Sequence, residues 1–240
     1  FGRGGEEAEA LINAGVDFEI VPGISSALAV PAYGGIPATH REYCSGVNIF
    51  TAHDKNNLLP DFHNTTSIFL MGVANSELLQ NKLLSSGFEG STPCAVIQDG
   101  TTSRQRVIHT ELITLHEKII ANSIKPPAII VVGQTAKLNL DWRSKLPLHD
   151  KRILITRPAG RSDYLSRLLR DSGAEVILMP TIKTRTLKNA LDGENLSGYD
   201  WAGFTSVTGV NSFFELLCDS NRDIRELGNA KIAAIGYATG

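Results

Sequence analysis

At 240 residues, 42% hydrophobic and 20% charged, the chain falls in the globular range and is long enough for one large or two small domains. Three scattered cysteines, Cys44, Cys94 and Cys218, exclude a disulfide framework, and none forms a CxxC pair with metal-ligand spacing. The net charge of −2 excludes the strongly basic surface of a nucleic-acid binder, and no apolar stretch approaches the roughly 20 residues that span a bilayer.

The opening FGRGGEEAEALINAG reads as a glycine-rich turn feeding an amphipathic helix, with Glu6 and Glu7 favoured by the dipole in its first turn and Gly15 as its stop. FEIVPG follows as a predicted short strand. In ISSALAVPAYGGIP, Ser25 or Ser26 is a candidate N-cap for a helix of small residues that can approach a backbone or ligand closely. Strands and helices then alternate: VNIFTA, TSIFLMG, a helix near 76–86, TPCAVIQDG, RQRVIHTEL, a helix near 113–122, and PPAIIVVG. This rhythm predicts an α/β fold, with QRVIHTEL as an antiparallel insertion.

The pattern breaks in LNLDWRSKLPLHDK, which places a linker at 139–150 between a domain over 1–138 and a second over 151–240. RILITRP, AGRSDYLSRLLRDSG and AEVILMP then read as strand, helix and strand, a fresh βαβ start. Beyond them, YDWAGFTS is a predicted strand, TGVNSFFELL a helix, and AKIAAIGYATG a strand running into a glycine-rich turn. Charge follows the same division, since residues 1–150 carry 11 Lys/Arg against 15 Asp/Glu and residues 151–240 carry 12 against 10.

The ordered blocks FGRGGEE at 1–7, VPGISSA at 21–27 and GIPATHR at 35–41, with FLMG at 69–72, QDGTTSRQRV at 98–107 and PPAIIVVG at 126–133, resemble the tetrapyrrole methylases, most closely the uroporphyrinogen-III C-methyltransferases. That resemblance implies two α/β domains holding S-adenosylmethionine in the cleft between them, and two methylations that convert uroporphyrinogen III to precorrin-2. It carries cofactor contacts to Ser25, Ser26, Met71 and Gly100, with the Gly133 turn closing over the adenine. A macrocycle with eight carboxylates calls for cationic and bidentate donors, so Arg3, His40, Arg41, Arg104 and Arg106 are substrate candidates, Arg3 and Arg41 foremost. No catalytic base is assigned. The family's glycine-rich first loop and the GGDP segment before FGRG have no counterpart here, so a molecule starting at Phe1 is expected neither to bind the cofactor tightly nor to turn over.

RILITRP, YDWAGFTSVTGV at 199–210 and IAAIGYATG at 232–240 resemble the first part of a two-lobed, flavodoxin-like uroporphyrinogen-III synthase. Such enzymes close hydroxymethylbilane into a ring with inversion of the last pyrrole, without metal or organic cofactor. The matching substrate positions are Arg157, Ser206, Thr208, Gly236 and Thr239, with Thr208 standing where the family often shows asparagine. A fused enzyme of siroheme, cobalamin or heme biosynthesis is thereby expected, cytoplasmic, homodimeric through its methyltransferase half, and without membrane or nucleic-acid partners. The competing readings are a related methylase with another substrate, or a non-catalytic second half that binds an anionic ligand.

Each candidate also has a purely structural reading. Ser25, Ser26, Ser206 and Thr208 are equally good helix caps, Met71 suits a core, and Arg104 and Arg106, alternating on one predicted strand, suit a solvated face. His53, His63, His109, His116 and His149 lack metal-ligand spacing.

Overall fold

The computed structural model describes residues 4–52, 64–158, 163–237 and 239. Contacts gather them into two compact units, Phe1–Ile155 with Arg161–Met179, and Thr156–Gly160 with Pro180–Gly240.

The first unit opens with α1 (Gly5–Asn13), whose first turn carries Glu6 and Glu7. Gly15, at φ +66°, takes the left-handed conformation that ends such helices. The strand predicted at FEIVPG does not form. Residues 16–24 pair with no strand among the described residues, and Ile20, Val21 and Ile24 are 74%, 79% and 89% exposed. An apolar run becomes a strand only where a neighbour takes up its backbone hydrogen bonds. α2 (Ser26–Tyr33) is capped as expected, with Ser25 Oγ accepting from Ala27 N at 3.2 Å.

Next come β1 (Gly46–Thr51), β2 (Thr65–Leu70), α3 (Ser76–Ser85), β3 (Pro93–Gln98), β4 (Arg106–Glu111), a 3-10 turn (Leu112–Thr114) running into α4 (Leu115–Ala121), and β5 (Ala128–Val132). The five strands form one mixed sheet in the order β1-β2-β5-β3-β4, with β1 and β2 parallel and every other pair antiparallel. β2, β3 and β5 are buried along most of their length, and β3 and β5 are apolar there, because both faces are covered. Phe69, Val96, Ile130 and Val132 pack with Leu79 and Leu83 of α3 and Leu115 and Ile119 of α4, while Ile68, Ile97, Ile129 and Val131 pack with Ala27 and Val30 of α2. The two-residue period of a strand sorts these neighbours onto opposite faces, and each fully buried side chain of this size contributes about 1.5–3 kcal/mol. β4 is the expected antiparallel insertion.

The 139–150 stretch has no helix or strand, yet it is anchored. Leu140 N donates to Gly35 O at 2.9 Å and Trp142 Nε1 to Ala32 O at 3.2 Å. The Arg143 side chain, only 6% exposed, stacks its guanidinium 5.0 Å from the centre of the Tyr33 ring. β6 (Arg152–Ile155), α5 (Asp163–Asp171) and β7 (Glu175–Leu178) then make the predicted βαβ unit with parallel strands.

In the second unit β8 (Trp201–Phe204), α6 (Val207–Asp219) and β9 (Lys231–Ala234) repeat that arrangement over a small core of Leu196, Leu217 and Leu227. Ser206 caps α6, its Oγ accepting from Gly209 N at 3.1 Å. Ser206→Ala should therefore lower the stability of this unit by about 1 kcal/mol in chemical denaturation, and an unchanged midpoint would show that the cap contributes nothing.

Candidate functional site

The candidate residues of the first unit fall into two groups at opposite ends of the sheet. At one end β2 runs out into Met71 and β3 into Asp99 and Gly100, side by side with the start of β5, since Leu70 pairs Ile129 and Gln98 pairs Ala128. The backbone there is unusual: Met71, Asp99 and Thr101 have φ of 56°, 49° and 70°, a region that residues with a Cβ seldom occupy. Such conformations cost on the order of 1–3 kcal/mol each and gather where binding or catalysis needs them. Met71 is 48% exposed, so its thioether is presented outward rather than packed in the core.

Gly100 lies against α2, where an added Cβ would come within 2.4 Å of Val30 Cγ1. Gln105 Nε2 donates to Tyr33 O at 2.9 Å, so the 99–105 turn is held to α2 at both ends. Ser25 and Ser26 open the same helix about one turn before Val30, Ser25 half-buried and Ser26 exposed. Ser25 Oγ accepts a bond as cap, and its hydroxyl hydrogen remains a donor.

The other end holds Gly133, His40 and Arg41. Gly133 N donates to Pro93 O at the first residue of β3, and a Cβ on Gly133 would stand 3.0 Å from Thr65 O at the first residue of β2. The length of β5 separates Gly133 from the Met71 end, about 16 Å at the rise of a strand. The His40 turn is tied to Gly133's end by Cys44 Sγ against Thr66 Oγ1 at 3.1 Å and Thr66 Oγ1 against Thr135 Oγ1 at 2.8 Å. His40 stacks on Tyr43, over which Lys137 Nζ sits 4.2 Å from the ring centre, and Arg41 is exposed. Two cations and an imidazole therefore crowd this end. Arg3, His53 and His63 lie outside the described residues.

Arg104 and Arg106 do not share a strand, because β4 begins at Arg106 and Arg104 belongs to the turn before it. Arg106 Nη2 donates to Asn122 O at 3.1 Å, and both side chains are exposed. His109 bonds Ala136 O through Nδ1 at 2.8 Å and His116 bonds Ser76 Oγ through Nδ1 at 2.9 Å, which are structural roles. Burial pushes the Cys94 thiol up to about 12, leaving it a neutral core group. Among the described residues no three His, Cys, Asp or Glu side chains could hold a metal ion, and no helix is long and apolar enough to cross a membrane.

In the second unit, Ser206 and Thr208 follow β8 and Gly236 and Thr239 follow β9. Ile235 N donates to Phe204 O at 3.0 Å, so the two turns lie beside each other at the carboxyl ends of parallel strands, where open α/β sheets take their ligands. Gly236 has φ +74°, and Thr239 is half-buried. Arg157 is exposed, next to a cavity of about 390 Å³ lined by Pro158, Pro180, Thr181, Ile182, Lys183 and Thr184. Lys183 carries no sequence motif, and only folding brings it to the same cavity as Pro158, the residue after Arg157.

Val30 and Glu175 lie outside the quoted motifs, and Ser103, inside the 98–107 block, was not singled out as a site residue. Glu175 Oε2 accepts from Ser103 N at 2.9 Å and from Ser103 Oγ at 2.5 Å, and Arg152 Nε stands 3.3 Å from its Oε1. The two Ser103 hydrogen bonds, with Arg152 and Arg104 adding charge, hold the Glu175 carboxyl below the usual range. The one foreseeable signal was a lone acidic residue opening an otherwise apolar strand.

Residues 1–116 match the family of Tetrapyrrole (Corrin/Porphyrin) Methylases and residues 163–240 match Uroporphyrinogen-III synthase HemD. The chain is 40% identical, over its whole length and 50% of the relative's, to a "Porphyrin biosynthesis protein HemD" of Ruminiclostridium josui. It is 37% identical, over 98% of its length and 50% of the relative's, to a "Uroporphyrinogen-III C-methyltransferase" of Bacillus subtilis (strain 168). A crystal structure of the uroporphyrin-III-C-methyltransferase from Thermus thermophilus is similar at 34% identity and a TM-score of 0.50, over 57% of this chain and 60% of that one. The chain thus spans about half the length of the curated relatives it matches. Its α/β fold, its motifs and these matches agree: the chain is similar to the tetrapyrrole methylases over residues 1–116 and to the HemD uroporphyrinogen-III synthases over residues 163–240.

Proposed function

We propose that the protein carries out two consecutive steps of tetrapyrrole biosynthesis, closing hydroxymethylbilane to uroporphyrinogen III with inversion of the last pyrrole and methylating that product twice, with S-adenosylmethionine, to precorrin-2. The observation that carries this reading is the union of both family segments in one chain, because the product of the second is the substrate of the first. The relatives named for porphyrin biosynthesis and for C-methylation of uroporphyrinogen III support it.

The residues at the Met71 end suit the cofactor. A half-exposed thioether offers a polarizable surface, the serines at the start of α2 offer hydroxyls beside a helix N-terminus, and Gly100 lets the 99–101 turn pack closely on that same helix. S-adenosylmethionine supplies an electrophilic methyl group when bound. What the chain contributes is alignment, since methyl transfer to an electron-rich pyrrole carbon depends on the geometry of sulfur, methyl and carbon more than on an ionised nucleophile. His40 and Arg41 are the described positions assigned to the macrocycle's carboxylates, together with Arg3. Gly133 is retained as a cofactor contact on the strength of the resemblance alone. For the synthase step the paired turns at 206–208 and 236–239 offer hydroxyls and amides, and Arg157 a cation, to an acidic linear tetrapyrrole. The resemblance further supports a cytoplasmic homodimer formed through the methylase segment, acting without nucleic acid or membrane.

The test is direct. The full-length protein given uroporphyrinogen III and S-adenosylmethionine should develop the absorbance of precorrin-2, and given hydroxymethylbilane it should form isomer III rather than the spontaneous isomer I. Methylation confined to a different tetrapyrrole overturns the first assignment. Isomer I alone overturns the second.

A further inference from the structure

Ser103 and Glu175 stand 72 residues apart, one inside the segment that matches the methylases and the other inside the segment that matches HemD, yet both belong to the same compact unit. The turn that Ser103 occupies is the one that carries Gly100. Its conformation is costly, with Asp99 and Thr101 both left-handed, and a short segment in that state persists only when its surroundings hold it there.

Contacts from within the turn's neighbourhood contribute: Thr102 Oγ1 donates to Asp99 O at 2.7 Å, Gln105 Oε1 accepts from Thr101 N at 2.8 Å, Gln105 Nε2 donates to Tyr33 O, and Asp99 N donates to Pro127 O at 3.0 Å. A further anchor comes from the HemD segment. Glu175 accepts from both the amide and the hydroxyl of Ser103, and a carboxylate bonded twice in this way makes a charge-assisted clasp about twice as strong as a neutral pair. Arg152 on the adjacent strand β6 stands 3.3 Å from the other carboxylate oxygen, which fixes the orientation of the Glu175 side chain. A second tether runs parallel to it, since Trp142 and Arg143 dock on the last turn of α2, the helix that packs on Gly100.

We propose that Glu175 is a positioning residue through which the HemD segment holds the 99–105 turn of the methylase segment in its binding-competent shape, so that the synthase portion of the chain sets the methylase portion's affinity for S-adenosylmethionine. The inference rests on the assignment of Gly100 to the cofactor site. Glu175 touches neither cofactor nor substrate in this scheme. It acts on affinity by sparing the cofactor the work of ordering the turn.

In the full-length protein, Glu175→Gln should raise KM for S-adenosylmethionine, and the calorimetric Kd for S-adenosylhomocysteine, by about fivefold, while KM for uroporphyrinogen III and kcat hold. Hydrogen exchange at the 99–105 amides should quicken. Ser103→Ala should give part of the same rise and add little to Glu175→Gln, because both remove the same bond. Unchanged affinity in Glu175→Gln, or additive effects of the two variants, overturns the coupling while leaving the cofactor site intact. A wild-type protein that binds no S-adenosylhomocysteine instead overturns the cofactor assignment, and the coupling with it.

Discussion

Replacing Gly133 with alanine should lower the stability of the first unit by about 3 kcal/mol, measured as a shift of its urea midpoint at constant slope. The residue sits at φ 131° and ψ 177°, extended backbone of a handedness that only glycine adopts freely. Strain alone accounts for about 1–3 kcal/mol of that loss. Space adds to it, because the new Cβ would stand 3.0 Å from Thr65 O and 3.4 Å from Thr66 Cα, both backbone atoms of a strand held in register on two sides. Neither can retreat without breaking ladder bonds between β1, β2 and β5. The amide of Gly133 also donates to Pro93 O, so a shift in this residue would disturb the start of β3 as well. A Gly133→Ala protein that unfolds at the wild-type midpoint would show that the turn relaxes at no cost and that the glycine serves a ligand alone.

Gly100→Ala should cost about 2 kcal/mol for a different reason. No left-handed conformation is involved here; the penalty is overpacking, with the added methyl 2.4 Å from one Val30 methyl and 2.7 Å from the other. Val30 is a β-branched residue within α2, where essentially one χ1 rotamer is available, so it cannot swing aside. Val30→Ala should therefore rescue the variant: the double replacement should be more stable than the sum of the two single losses predicts, by about 1 kcal/mol or more. Strict additivity would mean that the helix and the turn move apart instead. The comparison also separates two roles for the glycine. If it is needed only to seat α2, the rescued double variant recovers S-adenosylhomocysteine affinity along with stability. If it is needed for the approach of a ligand, stability returns and affinity does not.

Much of the fold was legible in local pattern. The runs SIFL, CAVI and AIIVV are short, apolar and bounded by turn residues, so they read as strands before any partner is known. Ser25, Ser206, Gly15 and Gly173 act where cap and stop chemistry puts them. The candidate sites were less legible. Met71 and Gly100 emerged as neighbours because two strands happen to end side by side, and Gly133, linked to them by motif, stands at the far end of β5. FEIVPG carries a strand's composition and forms none, since composition cannot supply a partner.

The sequence by itself determined most of the strands and helices, where most of them stop, and which two families its halves resemble, because propensity, capping and motif chemistry act over a few residues. Tertiary structure alone decided the strand order and register, the contact of Val30 with Gly100, and the clasp between Ser103 and Glu175. Those depend on where chain reversals deliver groups that lie 70 residues apart, as with Val30 and Gly100, or 72, as with Ser103 and Glu175. No local rule encodes such a meeting, since the free energy that selects it comes from burying two faces of one sheet at once.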